Sequence, residues 1–308
     1  MKQVACETLF PSLSRVGWKH FLCALACLAL PLSAPAAPHA AANEPSGNAG
    51  AQVAAAAPAG APAPGGAVKL TGLEIARRND RARRSNTEHQ VMTMILENSR
   101  GQKRVRTIEG WSHEVSDDEE RRFSKFLEPA DVKNTTLLYY DYDAKDDDTW
   151  LYLPALKKVK RILSTNKKDY FMGSDFTYED MENADLINWD YTVLREEPQS
   201  GVDCYVVQAL PNNDTKRRNS GYSKVINWVG KKDFVSRRTE YYDKKNRKSK
   251  ILTFEDIRPT SPTDPRPRAH KMLMDNLITG HKTQLSFTTI ELDVPVNDKV
   301  FSQRNLRQ

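Results

Sequence analysis

The stretch TEHQVMTMILENSRGQKRVRTIEGW, residues 87–111, is where the fold class is decided. Its first arm, Thr87 to Glu97, is rich in Val, Met, Thr and Ile. Asn98-Ser99-Arg100-Gly101 supplies turn chemistry, and Gln102 to Trp111 returns. Two such arms around a polar, glycine-ended tetrapeptide predict an antiparallel hairpin. Eleven further strand-like runs follow. They are Arg121–Leu127, Thr135–Tyr142, Thr149–Leu153, Lys158–Ile162, Ile187–Arg195, Cys204–Leu210, Ser223–Val229, Val235–Asp243, Lys248–Ile257, His270–Asn276 and Thr283–Leu292. Turn tetrapeptides such as Gly230-Lys231-Lys232-Asp233 and Asp243-Lys244-Lys245-Asn246 separate several of them. Thr253 to Ile257 alternates apolar and polar residues, as a half-buried strand does. Strands without alternating helices predict one large antiparallel sheet, curved or partly closed.

Helical periodicity is confined to two places. Thr71 is a candidate N-cap with Glu74 at the capping-box position, and Leu73, Ile75 and Ala76 begin an apolar stripe. Ser174–Ala184 is the second candidate helix.

Upstream of the strands the composition changes. Lys2, Arg15 and Lys19 precede an apolar run of twelve residues, Phe21–Leu32. A bilayer span needs roughly 20 apolar residues, so this run is too short to cross one. Ala34-Pro35-Ala36 then offers an A-x-A cleavage pattern, with Ala40-Ala41-Ala42 as a second site. A removable signal peptide over 1–36 is expected, and with it a periplasmic protein. Its removal takes Cys6, Cys23 and Cys27 and leaves Cys204, so no internal disulfide is available. Residues 37–67 hold 14 Ala, 5 Pro and 5 Gly and read as a flexible linker. The folded domain is expected over 68–308.

The 308 residues carry 46 Lys+Arg against 40 Asp+Glu, a net charge of +6. That excess is too small to argue for nucleic acid. A mean hydropathy of -0.65 excludes a protein of many membrane-spanning helices. His89, His113, His270 and His281 show neither an i,i+4 pair nor a nearby cysteine, so no metal-ligand spacing is present. There is no nucleophile elbow and no glycine-rich phosphate loop. No catalytic residue, metal or cofactor is nominated. Asp146-Asp147-Asp148 reads as a solvated hairpin tip. Glu179, Asp180, Glu182 and Asp185 read as the polar face of the second helix in preference to paired carboxylates for acid–base work. Lys157-Lys158, Lys160-Arg161 and Lys167-Lys168, near Tyr152, Tyr170 and Phe171, are either solvated strand faces or contacts to anionic lipid headgroups or an acidic partner. Lys160 and Arg161 are the candidates for such contacts.

The most distinctive block is 150–181. It opens with Trp150-Leu151-Tyr152-Leu153-Pro154 and closes with Phe171-Met172-Gly173-Ser174-Asp175-Phe176-Thr177-Tyr178-Glu179-Asp180-Met181. These motifs resemble the outer-membrane lipoprotein-sorting proteins, relatives of the LolA-type carriers. The resemblance extends through Asp203-Cys204, Tyr241-Tyr242-Asp243, Lys250 and the end, Val300-Phe301 to Leu306, and so covers most of 70–308. The Ala/Pro/Gly linker departs from the usual pattern. The resemblance implies a mainly β fold with a few helices: an unclosed antiparallel β-barrel of about eleven strands with a helical lid. It also implies a non-enzymatic activity, holding lipid or lipoprotein acyl chains in a hydrophobic cavity, with transient membrane contact and an inner-membrane transporter as partner.

A carrier of this kind needs a concave apolar surface and a movable cover. Residues 164–183 are the expected gate, with Gly173 as hinge and Phe171, Met172, Phe176 and Met181 against the ligand. Methionine's adaptable side chain suits a loosely held chain. In the preceding strand, Trp150 and Tyr152 share one face while Leu151 and Leu153 share the other. Trp150, Tyr152 and Leu153 are carried as candidate cavity residues, alternation alone leaving open which face is inside. A different class of function also fits the linker and the basic surface: an accessory or sensor subunit that docks on a transporter without carrying lipid.

Overall fold

The computed structural model describes residues 69–116, 118–142 and 145–308. The signal peptide and linker expected over 1–36 and 37–67, with Cys6, Cys23 and Cys27, lie outside the described residues. Every strand-like run of the sequence forms a strand. In chain order these are β1 (Thr87–Glu97), β2 (Lys103–Ser116), β3 (Glu119–Glu128), β4 (Thr136–Tyr142), β5 (Asp148–Leu153) and β6 (Lys158–Ile162). There follow β7 (Trp189–Gln199), β8 (Val202–Pro211), β9 (Tyr222–Gly230), β10 (Ser236–Asp243), β11 (Lys248–Ser261), β12 (Asp264–Asn276) and β13 (Lys282–Leu292).

All of them join one antiparallel sheet in the order β6-β5-β4-β3-β2-β1-β13-β12-β11-β10-β9-β8-β7. The count is therefore 13 rather than about eleven, because the 87–111 hairpin belongs to the sheet and lies at its centre. The chain starts in the middle, meanders out to β6 at one edge, reappears as β7 at the other edge, and meanders back. It finishes with β13 beside β1, where His89 faces Glu291 and Leu96 faces Thr283. The sheet does not close, as the resemblance implies. Because β6 and β7 occupy opposite edges, the segment that joins them, 163–188, has to cross one face. We call it the strap.

Alternation along each strand separates two faces. The inner face, under the strap, collects Met92, Met94, Ile108, Phe126, Leu137, Leu151, Leu252, Met274 and Leu285 around Phe171, Phe176 and Tyr178. The outer face of β2–β6 collects Trp111, Phe123, Leu138, Tyr140, Trp150, Tyr152 and Val159. It is covered by the C-terminal tail, 293–308, through Phe301 and Leu306. Tyr140 Oη donates to the carbonyl of Phe301 at 2.5 Å, and Thr136 Oγ1 donates to that of Leu306 at 2.7 Å.

Helix α1 (Gly72–Arg83) begins as the capping box predicts. Glu74 N donates to Thr71 Oγ1 at 3.2 Å, and Thr71 N donates to Glu74 Oε2 at 2.7 Å. Ile75 packs on Val207 and Val229 of the inner face. The helix lies so close to β7 that a Cβ on residue 72 would come within 2.4 Å of the Tyr191 carbonyl oxygen, so the site requires glycine. Asn79 Nδ2 anchors the middle of the helix to the carbonyl of Phe234 at 2.6 Å.

Two expectations fail. Ser174–Ala184 is not an α-helix; its only helical turn is a 3-10 turn, Glu179–Met181. A short α2 (Asp214–Asn219), capped by Asn213, follows β8. Strands β11 and β12 also run beyond the lengths that the sequence suggests, through Pro259, Pro265 and Pro267. Past Thr253 and Lys271 they pair with each other alone, so these prolines deprive no second neighbour of a donor. Among the described residues no helix is long and apolar enough to cross a membrane.

The tail is an integral part of the fold. Phe301 is 2% exposed. Replacing it with Ala should cost about 3–5 kcal/mol, read from urea unfolding of Phe301→Ala against the parent. A change under about 1 kcal/mol would show that the tail is only a loose cover.

Candidate functional site

The strap crosses an apolar face, so each of its buried polar groups needs a partner on the sheet or within itself. It meets this need in three places. The first is a tight hairpin at 170–177, where Phe171 N donates to the Phe176 carbonyl at 2.8 Å and Ser174 N to the Phe171 carbonyl at 2.9 Å. Met172 and Gly173 are both left-handed, with φ of 49° and 72°, and glycine accepts that conformation without strain. This turn brings Phe171 and Phe176 together, pointing at the sheet. The ring of Phe171 lies 5.8 Å from Phe126 and 5.7 Å from Tyr178. Arg106 of β2 donates to the Met172 carbonyl at 2.7 Å.

The second place is a pair of buried aspartates. Asp175 accepts from Thr283 Oγ1 at 2.8 Å and Asn276 Nδ2 at 3.0 Å. Asp180 accepts from Thr177 N at 2.7 Å and Tyr222 Oη at 2.6 Å, and pairs with Lys250 Nζ of β11. Lys250 also donates to the Asp175 carbonyl at 3.2 Å. The rings of Tyr222 and Tyr241 lie 5.1 Å from its ammonium and that of Tyr170 lies at 5.7 Å. A buried lysine charge is thus matched by a carboxylate, a carbonyl and three aromatic faces. Burial, with Asp180 alongside, pushes the Tyr222 phenol well above its usual range.

The third place ties the strap to β4 and to the loop before β5. Lys167 bridges Asp147 at 2.7 Å and Glu182 at 2.6 Å. Burial opposes the lysine's charge, but the two carboxylates outweigh it and hold Lys167 above the usual lysine range. Burial likewise pushes Glu182 up to about 7 against the pull of Lys167. Arg122 of β3 donates to the Met181 carbonyl and pairs with Asp141, which also accepts from Asn183 N at 3.0 Å. Glu179 accepts from Gly221 N at 2.7 Å.

The acidic residues therefore differ from their sequence reading. Asp146-Asp147-Asp148 is no free hairpin tip: Asp147 holds Lys167, Asp148 holds Arg161, and Asp146 accepts from Ser164 Oγ at 3.2 Å. Glu179, Asp180 and Glu182 do not form a polar helix face; they fasten the strap.

Two cavities flank the strap on the inner face. The first, about 320 Å³, has a floor of Met92, Met94, Ile108, Leu137, Leu285 and Phe287 and a rim bearing Arg83, Arg84, Glu88, Glu120 and Arg122. The second, about 310 Å³, lies under α1 and is lined by Trp189, Tyr191, Val207, Ala209, Val225 and Leu252 among others. Of the sequence candidates, Phe171, Phe176 and Met181 line the first cavity, and Phe176 lines both. Met172 and Leu153 pack at the margin of the inner core. Trp150 and Tyr152 are not on that face; they lie under the tail with Phe301 and Leu306. Lys160 and Arg161 are exposed on the edge strand β6. The cavity floors themselves were not singled out from sequence. Their signal is a period-two series such as Glu88, Gln90, Met92 and Met94, which runs from charged rim to apolar floor along one face of β1.

Comparison with known proteins agrees with this architecture. A family model described only as an uncharacterized protein matches residues 118–308. No curated protein matches the chain. The crystal structure of an outer membrane lipoprotein-sorting protein domain from Vibrio parahaemolyticus is 34% identical, with a TM-score of 0.71 over 77% of this chain and 98% of that one. The chain belongs to the outer-membrane lipoprotein-sorting, LolA-like family. A DUF1329 family protein from Desulfovibrio piger is similar at 30% identity and a TM-score of 0.70, over 76% of this chain and 97% of that one. A LolA superfamily protein from Nitrosomonas europaea shares the fold at 19% identity and a TM-score of 0.59, over 77% of this chain and all of that one.

Two outcomes are expected of the strap. Lys250→Met leaves Asp180 as a buried carboxylate without its cation and should destabilise by about 3–5 kcal/mol. Limited proteolysis should then cut within 163–188 faster than anywhere else in the domain. The second concerns pH. A carboxyl raised to about 7 is protonated in the folded state at a pH where the unfolded chain has lost the proton. Its stabilising effect is full below about 4.5 and is lost as pH rises through about 7. Asp147 is raised as well, with burial the main cause, and acts in the same direction. Glu182→Gln should lose less stability than the parent between pH 5 and pH 8, by thermal melts; parallel losses would contradict the assignment.

Proposed function

We propose that this protein is a periplasmic, non-enzymatic carrier that holds acyl chains of a lipid or lipoprotein for transfer across the envelope. The observation that carries this reading is the pair of apolar cavities on the inner face, each with charged or polar groups at its rim. A core that only had to stabilise the sheet would be filled at native packing density. Each methylene taken from water contributes about 0.8 kcal/mol, so part of an acyl chain already gives useful affinity. The family membership supports the same activity. The carboxylates that could serve acid–base chemistry, Glu179, Asp180 and Glu182, are already engaged by Gly221, Lys250 and Lys167.

The strap is the gate in this reading. Met172 and Gly173 form its turn, and loading requires the strap to lift far enough to admit a chain beside Phe176. Lys160 and Arg161, exposed on β6, approach anionic headgroups during transient membrane contact. An inner-membrane transporter is the expected donor or acceptor.

The test is lipid extraction and native mass spectrometry of protein purified from the periplasm. Bound lipid should be recovered. Phe287→Glu, which places a charge on the cavity floor, should lower its occupancy by about tenfold or more. Trp150→Phe, on the outer face, should leave occupancy per folded molecule unchanged. Recovery of no lipid from the parent, with no effect of delipidation on its melting, would sink the carrier reading.

A further inference from the structure

The turn between β12 and β13, Leu277-Ile278-Thr279-Gly280, presents apolar side chains outward. Leu277 is 45% exposed, Ile278 53%, and Tyr170 of the strap 50%. One buried amide, Asn276, joins all three. Its Oδ1 accepts from Ile278 N and Thr279 N, both at 3.2 Å, and so fixes the turn. Its Nδ2 donates to Tyr170 Oη at 3.1 Å and to Asp175 Oδ1 at 3.0 Å, and so holds the strap. Scattered exposed aliphatics need no explanation, but three apolar side chains gathered at one tip form a patch.

The surroundings of the tip are basic. The registers of Glu97 with Lys282, Asn276 with Lys250 and Tyr242 with Lys248 put the β1–β2, β10–β11 and β12–β13 turns at one end of the sheet. These turns and their flanks expose Arg100, Lys103, Lys245, Arg247 and Lys282. Glu97, Asp243 and Asp275 pair with Lys103, Arg247 and Lys282. Among the described residues Arg100 and Lys245 form no ion pair, so the three turns carry an excess of positive charge.

We propose that this end of the sheet docks on an anionic lipid bilayer, with Leu277, Ile278 and Tyr170 entering the headgroup layer and Arg100 and Lys245 lying against the phosphates. Three side chains on a turn fall far short of the roughly 800 Å² that a stable protein partner covers on each side. A bilayer accepts such a tip, and its binding adds buried apolar area to the attraction between basic groups and anionic lipid. Tyrosine suits the same boundary, since its ring is apolar and its hydroxyl wet. Because Asn276 holds the turn and the strap together, a turn drawn into the headgroups pulls on Tyr170 and Asp175, beside the Met172-Gly173 bend. Docking therefore loosens the strap at that end. The inference adds an apolar contact to the charged one at Lys160 and Arg161, and it does not rest on what the cavities hold.

Purified protein is sedimented with vesicles of phosphatidylethanolamine and phosphatidylglycerol, and with vesicles of phosphatidylcholine alone. Binding to the anionic vesicles is expected, weakening as salt is raised. The double variant Leu277→Ser, Ile278→Ser should weaken it by about tenfold or more. Its melting should match the parent's, since both side chains are exposed. Ile278→Trp should be quenched by brominated lipid beyond the quenching of the parent. With anionic vesicles present, proteolytic cleavage within 163–188 should rise in the parent and not in the double variant. Equal vesicle binding by parent and double variant overturns the docking tip. So does an absence of binding to any vesicle, which would assign the patch to an acidic protein partner. Binding that is lost in Arg100→Glu, Lys245→Glu but kept in the double serine variant overturns insertion. Intact docking with unchanged cleavage overturns the link to the strap. None of these outcomes touches the recovery of lipid from the cavities, so the carrier reading stands or falls separately.

Discussion

A chain whose two edge strands are consecutive in sequence must carry itself back across its own sheet. β6 and β7 stand at opposite ends of the strand order, so 163–188 crosses the inner face whatever else it does. A backbone laid over an apolar surface brings peptide groups and polar side chains where water cannot reach them. The strap answers with its own hairpin, with Asp175 on Thr283 and Asn276, and with Asp180 on Lys250 and Tyr222. Most of the buried charge described on the inner face traces to that crossing. The cavities trace to it as well: a narrow strap covers the middle of a wide curved face and leaves space on both sides.

The two faces of the sheet solve opposite problems. The outer face of β2–β6 is filled with aromatic side chains and sealed by a tail whose carbonyls accept from Tyr140 and Thr136. The inner face is lined by methionine and leucine together with aromatic rings from both the strap (Phe171, Phe176, Tyr178) and the strands (Phe126, Trp189, Tyr222, Tyr241). Rigid rings suit a closed core, and flexible thioethers suit a surface whose contacts change when a ligand arrives. Methionine, which belongs to the inner cluster and not to the one under the tail, therefore distinguishes the two faces.

Local features of this fold were legible in the sequence. Thr71 and Glu74 announce α1 because both capping bonds lie within four residues. The strands announce themselves by alternation. What could not be read depends on partners far along the chain. Asp180 is 70 residues from Lys250, and Asp175 is 108 from Thr283, so the acids of 174–184 look like a helix face until the sheet is folded. The face taken by Trp150 is set by Phe301 and Leu306 in the tail, whereas alternation gives two equivalent faces. The prolines of β11 and β12 mislead for a related reason: their effect depends on which neighbours the strands have, and that is a property of the sheet.

The central seam has a consequence for how the molecule assembles. Within each half, every strand pairs with its neighbour in sequence, so both halves can form from local hairpins. Joining them requires β1 to find β13, with contacts such as His89 to Glu291 spanning 202 residues. Contacts that distant slow folding in proportion to the search that they demand. Until they form, β1 and β13 are open edges with apolar inner faces, each matched to its counterpart in any other copy of the chain. Exchange of halves between two molecules would satisfy the same ladder. At high concentration of unfolded chain, intertwined dimers are therefore the natural competitor of the monomer, and the seam is where that competition is decided.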